Sequence, residues 1–319
     1  MSGRPLKVSK LMSHVPIRVS TLRGDQPIEF DAYVKINDKH ILFLRRGDSF
    51  EGARLSRLKE KKLKKMFILQ DDEHNYRKYL ERNIENAFDP KSGKPIETRT
   101  EIVQGATQAR AEDVLENADN VDVYNDAKAG ASKFVEFLNR ENQALHQILT
   151  MENLDQNIAQ HGVTVSSLAI TLASRLGLKD SKQNQLLSLG ALLHDYEHFH
   201  QPLNIARPLD QFTPEELELY KQHPINGSRR LQDKKHFDQS VLKIIAQHEE
   251  FIDGKGFPQG LPENKLDILS IIVASANKLD RLLSFEKVPR SEIPKQLMMR
   301  YTGCHPLEHL QILSEIIKG

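Results

Sequence analysis

The sequence predicts a multidomain α+β protein: a small α+β domain over residues 1–90, a helical linker over 91–148 and an all-α domain over 149–319. Three observations carry this prediction. The first ninety residues mix alternating β-branched runs with helical ones. The stretch DPKSGKPIE (89–97) has the proline and glycine of a linker, and no proline follows it before residue 150. Beyond residue 150 the helical period runs to the C-terminus, and seven histidines (His161, His194, His198, His200, His223, His236 and His248) fall within 88 residues of it.

In the N-terminal domain, PIRVS (16–20), PIEFDAYVKIN (27–37), HILFLRR (40–46) and KMFILQ (65–70) read as strands separated by short polar turns. GARLSRLKEKKLKK reads as a basic amphipathic helix with a solvated lysine face, and 71–88 as a polar helix. Residues 98–150 place Val114, Leu115 and Ala118, then Phe134, Phe137 and Leu138, then Leu145, Ile148 and Leu149 at helical spacings. The expectation there is one long helix or two successive ones, broken near Gly130. Such a segment suits a signal relay, a homodimer contact or packing on its own protein. Helices are then expected over 151–176, 181–200, 213–222, 225–233, 238–250, 264–286, 290–301 and 305–318. Thr213-Pro214-Glu215-Glu216 has the threonine cap, first-turn proline and back-bonding glutamate of a capping box.

Lys plus Arg is 45 and Asp plus Glu is 44, a balance that argues against a nucleic-acid polymer as partner. No stretch approaches the ~18 apolar residues of a membrane span, and the start lacks the apolar block of a secretory signal. The single cysteine, Cys304, suits a reducing compartment, so a cytoplasmic location is expected.

The histidines are the chemical signal. His194 and Asp195 follow the apolar run LLSLGALL, where a charged pair is expensive to bury without a partner, and a metal ion accepts both imidazole and carboxylate. His161 precedes the stripe Val165, Leu168 and Leu172; His223 closes a capped helix before Pro224; His248 sits four residues after Ile244 on a buried face. FIDGKGFPQGL follows, its course constrained by Gly254, Gly256 and Pro258. One buried histidine is usually a satisfied core residue. Four at helix ends beside a His-Asp pair favour a metal site.

Taken together, His161, LLHD (192–195), FTPEE (212–216), KQHPINGSRRL (221–231), HEEFIDGKGFPQGL (248–261) and ASANKLDRLLS (274–284) resemble the HD-GYP phosphodiesterases of the HD-domain superfamily. The likeness spans about residues 150–285. It implies an all-α HD-GYP domain with two or three metals that hydrolyses cyclic di-GMP, a bacterial second messenger. It also implies metal-ligand roles for His161, His194, Asp195, His223 and His248, with Asp195 bridging two ions. Asp280 matches an aspartate behind the ligands and is grouped with Asp195 and His198 as catalytic. Asp253, Gly254, Gly256, Phe257 and Pro258 match the signature loop and are grouped as ligand-binding.

The departures from the family pattern are specific. Gln247 stands for a histidine ligand, Asn277 for a ligating aspartate, Asn157 for a glutamate, His198 for a lysine and Phe257 for a tyrosine. Gln247 and Asn277 are therefore expected as weak or outer ligands, because amide oxygens bind cations less strongly than carboxylate or imidazole. The expected cofactors are two divalent transition-metal ions, iron first and manganese next. His198 is read as a phosphate contact, a surface helix residue or, being four residues from His194, a further ligand. Glu197, Glu249 and Glu250 are expected to be solvated. Two functions follow from the resemblance: a cyclic di-GMP phosphodiesterase, or a catalytically impaired metal-binding module that senses cyclic di-GMP or a protein partner and acts through its N-terminal domain or long helix.

Overall fold

A computed structural model of the protein describes residues 13–51, 53–61, 63–150 and 157–318. The chain divides into two units, 1–92 and 93–319. Among the described residues, the first holds a small four-stranded antiparallel sheet and the second is helical.

The sheet contains β1 (His14–Arg18), β2 (Ala32–Ile36), β3 (Lys39–Leu44) and β4 (Lys65–Leu69), in the order β1-β4-β2-β3. The strand expected over 27–37 is shorter: after an isolated bridge between Pro27 and Ser49 the continuous strand begins at Ala32, and Asn37 and Asp38 turn the hairpin with φ of 46° and 62°. Alternation along β4 buries Met66 and Ile68 beneath α1 (Ala53–Glu60) and α2 (Glu73–Phe88), in a core with Phe30, Phe50 and Tyr79. The Tyr79 hydroxyl accepts a hydrogen bond from the Arg23 N–H at 2.8 Å, which satisfies a buried polar group within that core.

In the second unit, α3 (Ile96–Glu116), α4 (Val121–Arg140) and α5 (Ala144–Thr150) pack on the helices that follow. The break falls at 117–120 and not near Gly130, because the Asn120 side chain caps α4 by accepting from the N–H groups of Asp122 and Val123. The helix expected from residue 151 begins, among the described residues, at Ile158; residues 151–156 lie outside them. This α6 (Ile158–Arg175) packs against α7 (Ser181–Leu193) and α10 (Ile268–Asp280). Gly162 permits the approach, since a Cβ there would stand 2.5 Å from the Leu192 carbonyl oxygen. α7 ends at Leu193, short of the expected residue 200, and a single tight turn follows at Tyr196–Phe199.

The sequence suggests a break at Pro224, but α8 (Pro214–Gln232) runs through it. α9 (Gln239–Gln247), α11 (Ile293–Tyr301) and α12 (Leu307–Lys318) complete the unit. Its main core joins Leu168, Leu172, Leu187, Ile244, Ile272 and Leu313. No helix among the described residues is long and apolar enough to cross a membrane.

Beside this core, Ser275 donates to the Ile271 carbonyl and accepts from the Nδ1 atoms of His305 (3.1 Å) and His309 (3.0 Å). Burial pushes His305 down to about 3 and His309 down to about 4. Unfolded imidazole takes up a proton near pH 6.5, so the unfolded chain binds more protons as the solution is acidified. Their contribution to stability is present above pH 6.5 and is lost as pH falls toward 4. Each ring should cost about 1–2 kcal/mol between pH 7 and 5. Urea unfolding at the two pH values should show the loss, and His309→Gln should reduce it; an equal loss in the variant contradicts this assignment.

Candidate metal centre

The centre is assembled from the ends of α7 and α9 and from positions inside α6 and α8. Asp195 follows α7, and its carboxylate lies among the Nε2 atoms of four histidines: His223 at 3.1 Å, His248 at 3.4 Å, His161 at 3.5 Å and His194 at 3.6 Å. All five residues are buried.

Each ring is held through its other nitrogen. His194 Nδ1 donates to the Ala191 carbonyl at 2.7 Å and His248 Nδ1 to the Ile245 carbonyl at 2.9 Å. These are last-turn carbonyls, which have no intrahelical donor. His223 Nδ1 donates to the Tyr220 carbonyl at 2.5 Å. That carbonyl is free because the residue four positions later is Pro224, which has no N–H. The proline thus releases an acceptor that orients the adjacent histidine. His161, inside α6, has no such carbonyl, and its Nδ1 donates to Asp280 at 2.5 Å. Asp280 also accepts from the Ser284 hydroxyl at 2.7 Å.

With Nδ1 protonated in all four rings, the Nε2 lone pairs face one another. The His161–His194 Nε2 separation is 3.1 Å and the His223–His248 separation is 2.8 Å. Two lone pairs at this distance repel unless a cation or proton lies between them. Burial disfavours the proton: it pushes His194 down to about 3 against the attraction of Asp195, and it lowers His223 in the same way. Burial also opposes ionisation of Asp195, but the His194, His223 and His248 rings around it hold its carboxyl well below the ordinary carboxylate range. A carboxylate among imidazoles whose Nε2 atoms point inward is a donor set that fits a divalent cation. Two triads have ligand atoms within 4.8 Å of one another, His161/His194/Asp195 and Asp195/His198/His223, and they share Asp195.

His198 is 3% exposed, so it is not a surface helix residue. Its ring lies against His223, tilted by 33° with centroids 4.0 Å apart, and both ring nitrogens are buried without a hydrogen-bond partner among the described residues. Burial first, and the neighbouring His223 second, hold it well below the usual imidazole value. Gln247 is not brought to the cluster. Its Oε1 accepts from the Asp267 N–H at 3.0 Å at the start of α10, so its amide serves the 265–267 backbone. Asn277 is at the cluster's edge: its Nδ2 donates to Glu249 at 3.1 Å, while its Oδ1 is buried and unpartnered among the described residues. Asn157 caps α6 by accepting from the Gln160 N–H.

The three glutamates expected in solvent are buried, each with partners distant in sequence. Glu249 accepts from Tyr220, Asn277 and Lys278. Burial opposes its ionisation, but Lys278 and the nearby histidines hold its carboxyl far below the ordinary value. Glu197 takes a two-pronged contact from Arg230 at 2.9 and 3.0 Å. Glu250 accepts from the N–H groups of Gln259 (2.7 Å) and Leu261 (3.0 Å), which pins the loop containing Asp253, Gly254, Gly256, Phe257 and Pro258. Gly256 is required there, because a Cβ would stand 2.3 Å from the Phe251 nitrogen. Asp253 faces its own loop, accepting from the Lys255 N–H, and Phe257 meets the Tyr220 ring, 5.8 Å between centroids. Sequence reasoning missed Tyr220, Lys278 and Arg281. The two cations in the otherwise apolar IIVASANKLDRLL were the available signal.

Comparison with known proteins agrees with this geometry. A family model described as an HD domain matches residues 137–296. The chain is similar to the cyclic di-GMP phosphodiesterase PA4108 of Pseudomonas aeruginosa (31% identity over 46% of this chain and 35% of that protein). It is also similar to the cyclic di-GMP phosphodiesterase PdeB of Borreliella burgdorferi (30% identity over 39% of this chain and 32% of that protein). The chain thus spans about a third of the length of these curated relatives. The solved structure of Bd1817, a HDG"Y"P protein from Bdellovibrio bacteriovorus, superposes with a TM-score of 0.90 and 57% identity, covering 96% of this chain and 100% of that one. With its ordered motifs, the matched HD domain and a 57% identical relative along nearly the whole chain, the protein belongs to the HD-GYP family of the HD-domain superfamily.

Proposed function

We propose that this protein is a metal-dependent phosphodiesterase of cyclic di-GMP signalling, acting on the dinucleotide at a two-metal site. The observation that carries the reading is the pair of opposed Nε2 contacts around Asp195, at 3.1 and 2.8 Å. His161, His194 and Asp195 would hold one ion; Asp195, His223, His248 and His198 would hold the other. The imidazole-rich set suits iron first and manganese next. Such ions acidify an attacking water and draw charge from phosphoryl oxygens. The chain's own groups do the positioning: Asp280 fixes the His161 ring, and the Glu249–Lys278 pair holds the Asn277 amide and the Tyr220 hydroxyl. Phe257 and Tyr220 give the site an apolar wall that keeps water from the reacting phosphate.

One observation favours the second reading, a metal-bound sensor of cyclic di-GMP without turnover. With Gln247 turned to the 267 backbone and Asn277 an amide, Asp195 is the single carboxylate among the ligands proposed above. Anaerobically purified protein should contain close to two transition-metal ions per chain by elemental analysis. On incubation with cyclic di-GMP, linear product supports the hydrolase, and binding without product supports the sensor. Neither metal nor binding in the folded protein contradicts both.

Ligand assignment separates two neighbouring residues. His198→Gln should weaken retention of one ion by at least about tenfold in chelator competition, whereas Gln247→Ala should leave both unchanged. Equal retention in wild type and His198→Gln removes His198 from the ligand set. Asp280→Asn frees the His161 ring and should weaken metal retention about 10- to 100-fold with little loss of folding; unchanged retention contradicts its orienting role.

A further inference from the structure

Arg281 opens the widened turn Arg281–Phe285 that ends α10, and it is 2% exposed. Its guanidinium carbon lies 5.1 Å from the ring centre of Tyr220 and 5.1 Å from that of Phe285. One hydrogen bond reaches it among the described residues, from Nη2 to the Arg207 carbonyl, and at 3.5 Å it is at the limit of a useful bond. Among the described residues no carboxylate pairs with it. The two nearest in electrostatic reach, Asp195 and Glu249, are engaged elsewhere: Asp195 by four imidazoles, Glu249 by Tyr220, Asn277 and Lys278.

A guanidinium has five N–H donors in a planar fork and stays charged at any ordinary pH. Burying it with one long hydrogen bond and two aromatic faces leaves most of that capacity unused, at a desolvation cost the rings offset only in part. An anion removes the deficit. The surroundings say where the anion would lie. The Tyr220 ring also contacts His223 and His198, with centroids 4.9 and 5.5 Å apart, and the Phe285 ring contacts His161 at 4.8 Å. The guanidinium is therefore one aromatic ring removed from each half of the histidine cluster.

We infer that Arg281 is a phosphate-binding residue, whose fork donates to the non-bridging oxygens of a phosphodiester seated against the histidine cluster. This rests on the phosphodiesterase reading above for the identity of the ester, but not for the anion. Tyr220 and Phe285 hold the guanidinium in position, and the Arg207 carbonyl ties it to the segment that carries Ile205, Leu209 and Phe212 over the same apolar cluster.

The test uses the metal-loaded full chain and inorganic phosphate, with binding read by calorimetry and metal content by elemental analysis on the same samples. Arg281→Met keeps the apolar stem and removes the charge; phosphate binding should weaken about 10- to 100-fold while metal content is unchanged. Arg281→Lys keeps the charge and loses the fork, and should weaken binding by about three- to tenfold. If the methionine variant does not fold, the lysine variant decides. Wild-type phosphate affinity in the folded variants, with only a lowered melting temperature, would mean that Arg281 is a packing residue and overturns the inference, as does absence of phosphate binding to the wild type. If phosphate binding depends on Arg281 but cyclic di-GMP is neither bound nor cleaved, the anion site stands and the cyclic di-GMP reading fails.

Discussion

The second unit of this protein is organised around one buried carboxylate and the four imidazoles that face it. Asp195 is approached by the Nε2 atoms of His161, His194, His223 and His248 at 3.1–3.6 Å, and those nitrogens approach one another as closely as 2.8 Å. Such an arrangement is unfavourable with the rings alone, because with each Nδ1 donating outward the buried Nε2 atoms present lone pairs to each other. It becomes favourable when cations are shared between them. The fold supplies the remaining constraint by occupying every Nδ1, so that no ring can rotate its N–H inward to relieve the repulsion.

Several local features follow from that constraint. α7 and α9 stop where they do so that His194 and His248 can take the free carbonyls of their own last turns. Pro224 lies inside α8 because a missing N–H leaves the Tyr220 carbonyl to His223. Asp280 serves His161, whose own helix continues past it and offers no free carbonyl. Gly162 brings α6 close enough to α7 for His161 and His194 to meet. A second layer, Glu249 with Lys278 and Tyr220, takes up the Asn277 amide.

The residues of the cluster and their segments were legible from the sequence, because buried His and Asp beside apolar helices are costly without a shared partner. The small sheet was legible too, from the alternation in KMFIL and the runs before it. Three readings went astray for one reason, that periodicity sees the helix and not the partner across it. Glu197, Glu249 and Glu250 look solvated in their own segments, but their partners stand 9 to 33 residues away. Pro224 looks like a break, although the carbonyl it frees is put to use by the preceding residue. Gln247 looks like a weakened ligand because it fills a histidine's place in the family motif, but its amide is drawn to the unsatisfied N–H of Asp267 at the start of the next helix. The substitution at 247 therefore removes a side chain from the centre instead of weakening a bond within it.

The central claim is that cations occupy the two Nε2 gaps. Anomalous diffraction from crystals of anaerobically purified protein, measured at the iron and manganese absorption edges, addresses this directly. The account predicts two anomalous peaks, one between His161 and His194 and one between His223 and His248, with the Asp195 carboxylate bonded to both. Ordered rings at these positions with no anomalous peak between them, in protein purified with metal supplied, would contradict it.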